Sequence, residues 1–240
     1  FWKDGAPALG VWTEEGVIDA SAIAGTMLGA IQGGGAVLDR LAALKGPVLE
    51  EDDPYGDGKS DPSLTAVKHV QEMQVMESGD QQKIKEAVFK YGGVQTSIYT
   101  TLESSESTSE YYNKKKKAYC YQGREKPNHD VVIIGWDDSY PKENFSTPPV
   151  EDGAFICQNS WGTSFGDKGV FYISYYDSNI GMHNVVYTKV EDVDNFDRIY
   201  QSDLCGWVGQ MGYERESIYG ANVFRAKERE QVEAAGFYAT

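Results

Sequence analysis

The sequence predicts an α+β protein, helical at its start and mainly β from about residue 94 onward. Apolar residues recur at helical spacing over 20–30, 36–44 and 80–91. Short β-branched and aromatic runs at 94–100, 131–136, 154–158, 169–175 and 184–189 are punctuated by Gly, Pro and Asp clusters. Hydrophobic residues make up 40% and aromatics 12% of the 240 residues, enough core formers to fold one or two domains.

The first two helices are expected to meet at a bend, Gly33-Gly34-Gly35. The second should stop at Lys45-Gly46-Pro47, where glycine takes positive φ and proline cannot continue the ladder. Residues 50–56 are acidic and turn-rich, a surface loop, and residues 66–76 alternate as a strand. Asp80 is the expected N-cap of a helix burying Ile84, Ala87, Val88 and Tyr91, closed by Gly92-Gly93. Residues 102–117, Ser/Glu-rich and then four lysines, predict an exposed, mobile loop rather than a basic nucleic-acid patch. After Val190, the run Glu191 to Asn195 reads as a linker. Strands near 219–226 and 231–239 would begin a second β-domain, but about forty residues are too few to complete one. The division is therefore 1–190 and 191–240.

Lys plus Arg total 22 against 37 Asp plus Glu, a net charge of −15, which speaks against nucleic acid or an anionic membrane as the main partner. No apolar run is long enough to span a bilayer. Phe1 begins the chain with neither a basic n-region nor an apolar h-region after it, so the start reads as internal or processed. Cys120, Cys157 and Cys205 cannot all pair with one another and form no CxxC spacing, so at least one is free or pairs outside the chain. Scattered histidines imply no metal, and Gly33-Gly34-Gly35 lacks the lysine and strand of a phosphate loop, so no cofactor is expected.

The chemistry lies in two segments, Asn128-His129 running into the apolar strand Val131 to Trp136, and Gln158-Asn159-Ser160-Trp161-Gly162-Thr163. A thiol protease needs an imidazole base, a group that orients it and donors for the oxyanion. His129 fits the base, at a turn exit before a buried strand. The Asn159 amide oxygen can accept from one ring nitrogen and leave the other for a thiolate, and Trp161 would shield that bond from water. A lone histidine is more often structural, and His69 and His183 are read so, His69 on a strand and His183 in a loop. His129 is set apart by its partner segment, in which Gly162, Phe165-Gly166 and Gly169 to Tyr175 follow as turn, glycine hinge and strand.

Through these two segments, extended by Asp137-Asp138 and by Gly166-Asp167-Lys168-Gly169, the chain resembles the papain-like cysteine peptidases. It resembles more finely the secreted or cell-surface bacterial and archaeal members that carry a lectin-like β-domain. Lys45-Gly46-Pro47-Val48-Leu49 through Tyr55, Lys68-His69-Val70-Gln71, Asn144-Phe145, Ser174-Tyr175-Tyr176-Asp177, Tyr200-Gln201 and Asn222-Val223-Phe224 carry that likeness. The resemblance implies a two-lobed fold, with an incomplete helical left lobe and an antiparallel, barrel-like right lobe, followed by the start of a β-sandwich. It implies that His129 is the base, Asn159 its orienter and Trp161 the indole over Asn159. Gly33, Gly34 and residues 47–55 would line the substrate cleft.

The family's nucleophile lies in a Cys-Trp context at the start of the first helix, after a glutamine that supplies an oxyanion donor. Neither motif occurs here, so the cysteine is expected upstream of Phe1. Departures include Asp130 for a small apolar residue, a carboxylate placed where it could perturb the imidazole, although a solvent-facing residue at the strand start is the reading favoured. Gly92-Gly93 stands for a Gly-Pro, and Phe165 for a tryptophan. Cys157 reads as a buried small hydrophobe, and Cys120 as a loop thiol with no helix N-terminus to lower its pKa. The leading expectation is a papain-type endopeptidase acting on polypeptides, secreted or at the cell surface. The alternatives are an inactive homologue serving as a surface binding module, with wall or glycan contact through the tail, and a two-chain enzyme whose cysteine sits on a separate chain.

Overall fold

The structure is a computed structural model that describes residues 11–12, 18–19, 47–49, 52, 63–76, 78–200, 217 and 219–236. The helices expected over 20–30 and 36–44, the Gly33–Gly35 bend, most of the acidic loop and Cys205 lie outside the described residues.

Ten strands are described. Two short ones, β1 (Val11–Trp12) and β2 (Ile18–Asp19), pair with each other. The other eight form one sheet: β3 (His69–Met76), β4 (Val94–Ile98), β5 (Tyr112–Asn113), β6 (Ala118–Tyr119), β7 (His129–Asp137), β8 (Ala154–Gln158), β9 (Val170–Ser174) and β10 (Met182–Glu191). Their order is β3-β10-β4-β7-β8-β9-β6-β5, antiparallel throughout except for the β6–β9 pair. Helix α1 (Gln81–Tyr91) packs against β4, β7 and β10.

Helix α1 forms where its punctuation demands. The Asp80 carboxylate accepts from the Lys83 amide at 3.0 Å, satisfying one of the first-turn donors that a helix leaves open. Gly92 stops it at φ +89°, donating its amide to Val88 O at 2.8 Å. The buried stripe is Ile84, Ala87 and Val88, which meets Val94, Ile98, Val131, Ile133, Phe155, Phe171 and Ile173 from the sheet. Each large aliphatic or Phe side chain buried there contributes about 1.5–3 kcal/mol relative to exposure. β7 lies between β4 and β8, pairing with β4 over 129–133 and with β8 over 132–137, with an irregularity between Ile133 and Gly135.

Residues 102–117 depart from the expected mobile loop. Tyr112–Asn113 and Ala118–Tyr119 pair as a hairpin with the lysines at its turn, and Leu102 and Tyr112 are buried. The Tyr112 ring stacks on Phe165 at 5.3 Å, an anchor that the polar composition around it conceals. His183, expected in a loop, is instead the second residue of β10. It holds φ +53°, next to an irregularity in the β10–β4 register.

Between 219 and 236 the described residues form no strand and are exposed. A strand needs a ladder partner, and none of the described residues offers one there. Arg198 ties this segment back, donating to Glu228 and Glu230 at 2.6 Å each, while Tyr200 donates to Glu230. The expected linker is tethered too. Lys68 pairs with Asp192, and His69 Nδ1 lies 2.8 Å from Asn195 Oδ1.

Gly92→Ala should lower stability by about 1 kcal/mol, the cost of a side chain in the left-handed region, with nothing near the new methyl to clash. Thermal unfolding of the two proteins measures this; an unchanged midpoint would contradict the cap assignment.

Candidate active site

His129 is the first residue of β7 and is held there from the β4 side. Its backbone partner across the ladder is Ile98 of β4. Just before it, the Asn128 amide N–H donates to Ile98 O at 2.9 Å, while the Asn128 side chain accepts from Thr100 N at 2.8 Å and donates to Thr100 O at 2.9 Å. A side chain thus continues the β4–β7 ladder past the end of the strand. This role for Asn128 was not drawn from the sequence, although a side chain able both to donate and to accept is what the position requires.

Asn159 follows β8 directly. Its amide N–H donates to Gly169 O at 2.9 Å, and Gly169 donates to Phe165 O at 2.7 Å, closing the loop on itself. Gly169 sits at φ +92°, a conformation that favours glycine, and a Cβ there would displace the Gln158 amide that lies 2.4 Å from its position. Gln158 Nε2 donates to Asn159 O at 3.0 Å, a further clamp on the same residue.

The two segments meet side chain to side chain. His129 Nε2 lies 2.9 Å from Asn159 Oδ1, which also accepts the Ser160 amide at 2.8 Å. An amide oxygen only accepts, so the network assigns a proton to Nε2 and leaves Nδ1 with its lone pair. Trp161 lies over the imidazole with ring centroids 4.9 Å apart, and Phe165 meets Trp161 edge-on at 5.2 Å. Phe165 in turn meets Tyr112 and Phe171, so an aromatic chain runs from the β5–β6 hairpin to the imidazole. Phe165 thus occupies an aromatic position, as expected. The structure brings together His129, Asn159 and Trp161; Gly33 and Gly34 lie outside the described residues.

Burial lowers the His129 pKa to about 4, against the opposing effect of the Asn159 hydrogen bond. Asp130 corrects the expectation of a solvent-facing residue: it is 4% exposed, and burial raises its pKa to about 7. The reason is the position of β7, a central strand covered on both faces, where alternation no longer means one wet face.

Both described cysteines are buried and neither stands at the imidazole. Cys157 is fully buried and pairs with Ile133, four residues along β7 from His129, or about 13 Å at the rise of a strand. Burial holds its thiol well above the usual range. Cys120 packs in a separate cluster with Ala118, Tyr140, Phe145 and Ala154, its thiol pushed up to about 12. Neither is poised as a thiolate.

A family model described as papain family cysteine protease matches residues 34–190, and one described as lectin like domain matches residues 199–240. The chain belongs to the papain family of cysteine proteases, and its α+β fold is papain-like. Cathepsin B-like cysteine proteinase 3 of Caenorhabditis elegans is 29% identical over 124 residues, 50% of this chain and 28% of that protein. The clostridial cysteine protease Cwp84 after propeptide cleavage superposes with a TM-score of 0.60 at 32% identity, over 69% of this chain and 42% of that one. The cysteine protease and lectin-like domains of Cwp84, a surface layer associated protein of Clostridium difficile, match with a TM-score of 0.57 at 28% identity, over 80% of this chain and 41% of that one. The chain spans less than half the length of each of these relatives. Among the described residues no helix is long and apolar enough to cross a membrane.

The two buried groups should act oppositely on stability. His129 has a folded pKa near 4 against 6.5 unfolded, so the unfolded chain binds the extra proton and stability falls as pH drops through that window. Asp130, near 7 folded against 3.8 unfolded, binds more protons in the native state, and stability falls as pH rises from 3.8 through 7. His129→Gln should therefore lose less stability on acidification than the parent, and Asp130→Asn less on neutralisation. Urea unfolding from pH 4 to 8 distinguishes them, and identical pH profiles for all three proteins would contradict the burial of both groups.

Proposed function

We propose that this chain carries the base side of a papain-type endopeptidase site, with His129 as general base, Asn159 as its orienter and Trp161 as the lid over their bond. The observation that carries this reading is the 2.9 Å contact between His129 Nε2 and Asn159 Oδ1, which leaves Nδ1 free to face a thiol. Cys120 and Cys157, the two described cysteines, are buried away from the imidazole, and the nucleophile is taken to be a cysteine outside the described residues, expected upstream of Phe1.

In that enzyme His129 Nδ1 takes the thiol proton, giving a thiolate–imidazolium pair. The low pKa of the buried ring makes the thiolate's negative charge essential to holding that proton, so base and nucleophile depend on one another. The thiolate attacks the peptide carbonyl carbon, and Nδ1–H donates its proton to the departing amine. Nδ1 then takes a proton from water, whose oxygen attacks the thioester carbonyl; the C–S bond breaks, the acid leaves, and the expelled thiolate pairs with the imidazolium or takes back the Nδ1 proton. Throughout, Asn159 holds the ring by Nε2–H, which never leaves.

The substrate class is polypeptide, the functional boundary falls at residues 190 and 191, and residues 191–240 begin a lectin-like domain with wall or glycan contact. Association of Cwp84 with a surface layer supports a secreted or cell-surface setting.

The test uses the full gene product. A thiol-directed peptidyl inhibitor should label it once and abolish peptide cleavage. His129→Ala should lower the labelling rate at least about 100-fold, and Asn159→Ala should lower kcat about 100-fold through misplacement of the ring. No labelling and no cleavage by the parent protein would overturn the enzyme reading in favour of a catalytically silent surface module.

A further inference from the structure

One buried polar cluster lies outside the groups assigned to the chemistry, directly behind the base. Asp130 follows His129 on β7 and points to the opposite face of the sheet. Its Oδ1 accepts from Ser97 Oγ at 2.7 Å and its Oδ2 accepts from Gln95 Nε2 at 2.9 Å, both from β4. Gln95 Oε1 accepts from the Tyr187 hydroxyl of β10 at 2.9 Å. Gln95, Ser97 and Asp130 are each at least 96% buried, and Ser97 is the ladder partner of Asp130, as Ile98 is of His129.

We propose that Asp130 is a positioning residue for His129: its carboxylate ties the start of β7 to β4 and, through Gln95, to β10, and sets a negative charge behind the imidazolium. This rests on the reading of His129 as the base.

Three arguments support it. The network joins three adjacent strands at the level of His129, where the backbone ladder is ending and Asn128 already substitutes a side chain for it. A satisfied buried network fixes one geometry, whereas an apolar pair there would permit sliding. The donors also match an acceptor-only group, because Tyr187 donating to Gln95 Oε1 orients that amide with its donor-only Nε2 toward Asp130.

Finally, the ring must accept a proton in a buried site with a neutral orienter. Among the described residues facing Asp130, β4 contributes only the uncharged Gln95 and Ser97, and β10 the Tyr187 phenol. The titratable neighbour on its own strand is His129. Among the described residues the carboxylate is hydrogen-bonded only by these uncharged groups, and in the proposal its charge bears on the imidazolium one residue along the strand. Burial raises the Asp130 pKa to about 7, so this charge is present on the alkaline side of neutrality.

Asp130→Asn separates position from charge. Its Oδ1 can accept from Gln95 and its Nδ2 can donate to Ser97, preserving the network while removing the carboxylate. Asp130→Ala removes both, and Ser97→Ala removes one tie and keeps the charge.

In the full gene product, solvent exchange of the His129 Nε2–H proton, followed by NMR, should quicken about tenfold in Asp130→Ala and change little in Asp130→Asn. In peptide cleavage, Asp130→Ala should lower kcat about tenfold with KM within about twofold, and Asp130→Asn should recover most of that loss. Asp130→Asn should also lower the alkaline limb of the kcat/KM profile by about one pH unit, because the imidazolium loses its stabilising charge. Parental exchange in Asp130→Ala, or an unmoved alkaline limb in Asp130→Asn, would overturn the proposal. If Asp130→Ala does not fold, Ser97→Ala replaces it in the exchange measurement, with an intermediate rate expected and a parental one overturning the positioning role. A parent protein that neither cleaves nor is labelled defeats the peptidase reading alone, since ring exchange still decides whether Asp130 positions His129.

Discussion

The bond between His129 Nε2 and Asn159 Oδ1 is the constraint around which the site is organised. It joins the start of β7 to the loop after β8, two places thirty residues apart that the β7–β8 pairing alone brings close. Because the acceptor is an amide oxygen, the bond also fixes chemistry, putting a proton on Nε2 and a lone pair on Nδ1. Every nearby device maintains that one contact. Asn128 extends the ladder beneath His129, Gly169 lets the loop fold tightly enough to present Asn159, and Trp161 with Phe165 covers the imidazole. In the drier surroundings they create, a hydrogen bond is worth more and its loss costs more.

Those surroundings also depress the basicity of the imidazole, which by itself would make a poor proton acceptor at neutral pH. On the proposal that His129 is the base, such a ring works only beside a group whose developing negative charge stabilises the imidazolium, as a thiolate does. Neither described thiol, Cys120 or Cys157, stands there. The carboxylate of Asp130 on the other face of β7 adds a second source of negative charge, reached through the strand rather than through solvent.

Much of this was legible in the residues. Asp80 and Gly92 marked α1 to within a residue because caps and left-handed glycines are local chemistry. The strands at β4, β7, β8 and β9 were legible as β-branched runs between turn residues. His129, Asn159 and Trp161 were legible because each lies beside an apolar strand that fixes its direction. Asp130 was not, since burial of a polar strand residue depends on what covers the second face of the sheet, a nonlocal fact. Tyr112 was hidden by the lysines and serines around it, and its partner Phe165 is more than fifty residues away. His183 was misplaced for a similar reason, an irregular β10 register that only the pairing with β4 reveals. Strands expected after residue 219 had the right alternation but no ladder partner among the described residues.

The central claim is that His129 is held in a single tautomer with Nδ1 open, and ring nitrogen NMR at pH 7 reports it directly. In the full gene product with its thiols alkylated, so that no thiolate–imidazolium pair forms, the account predicts a protonated Nε2 and an unprotonated Nδ1, with the two tautomers mixing in Asn159→Ala. An unprotonated Nε2 there, or a tautomer mixture already present in the parent and unchanged by Asn159→Ala, would contradict it.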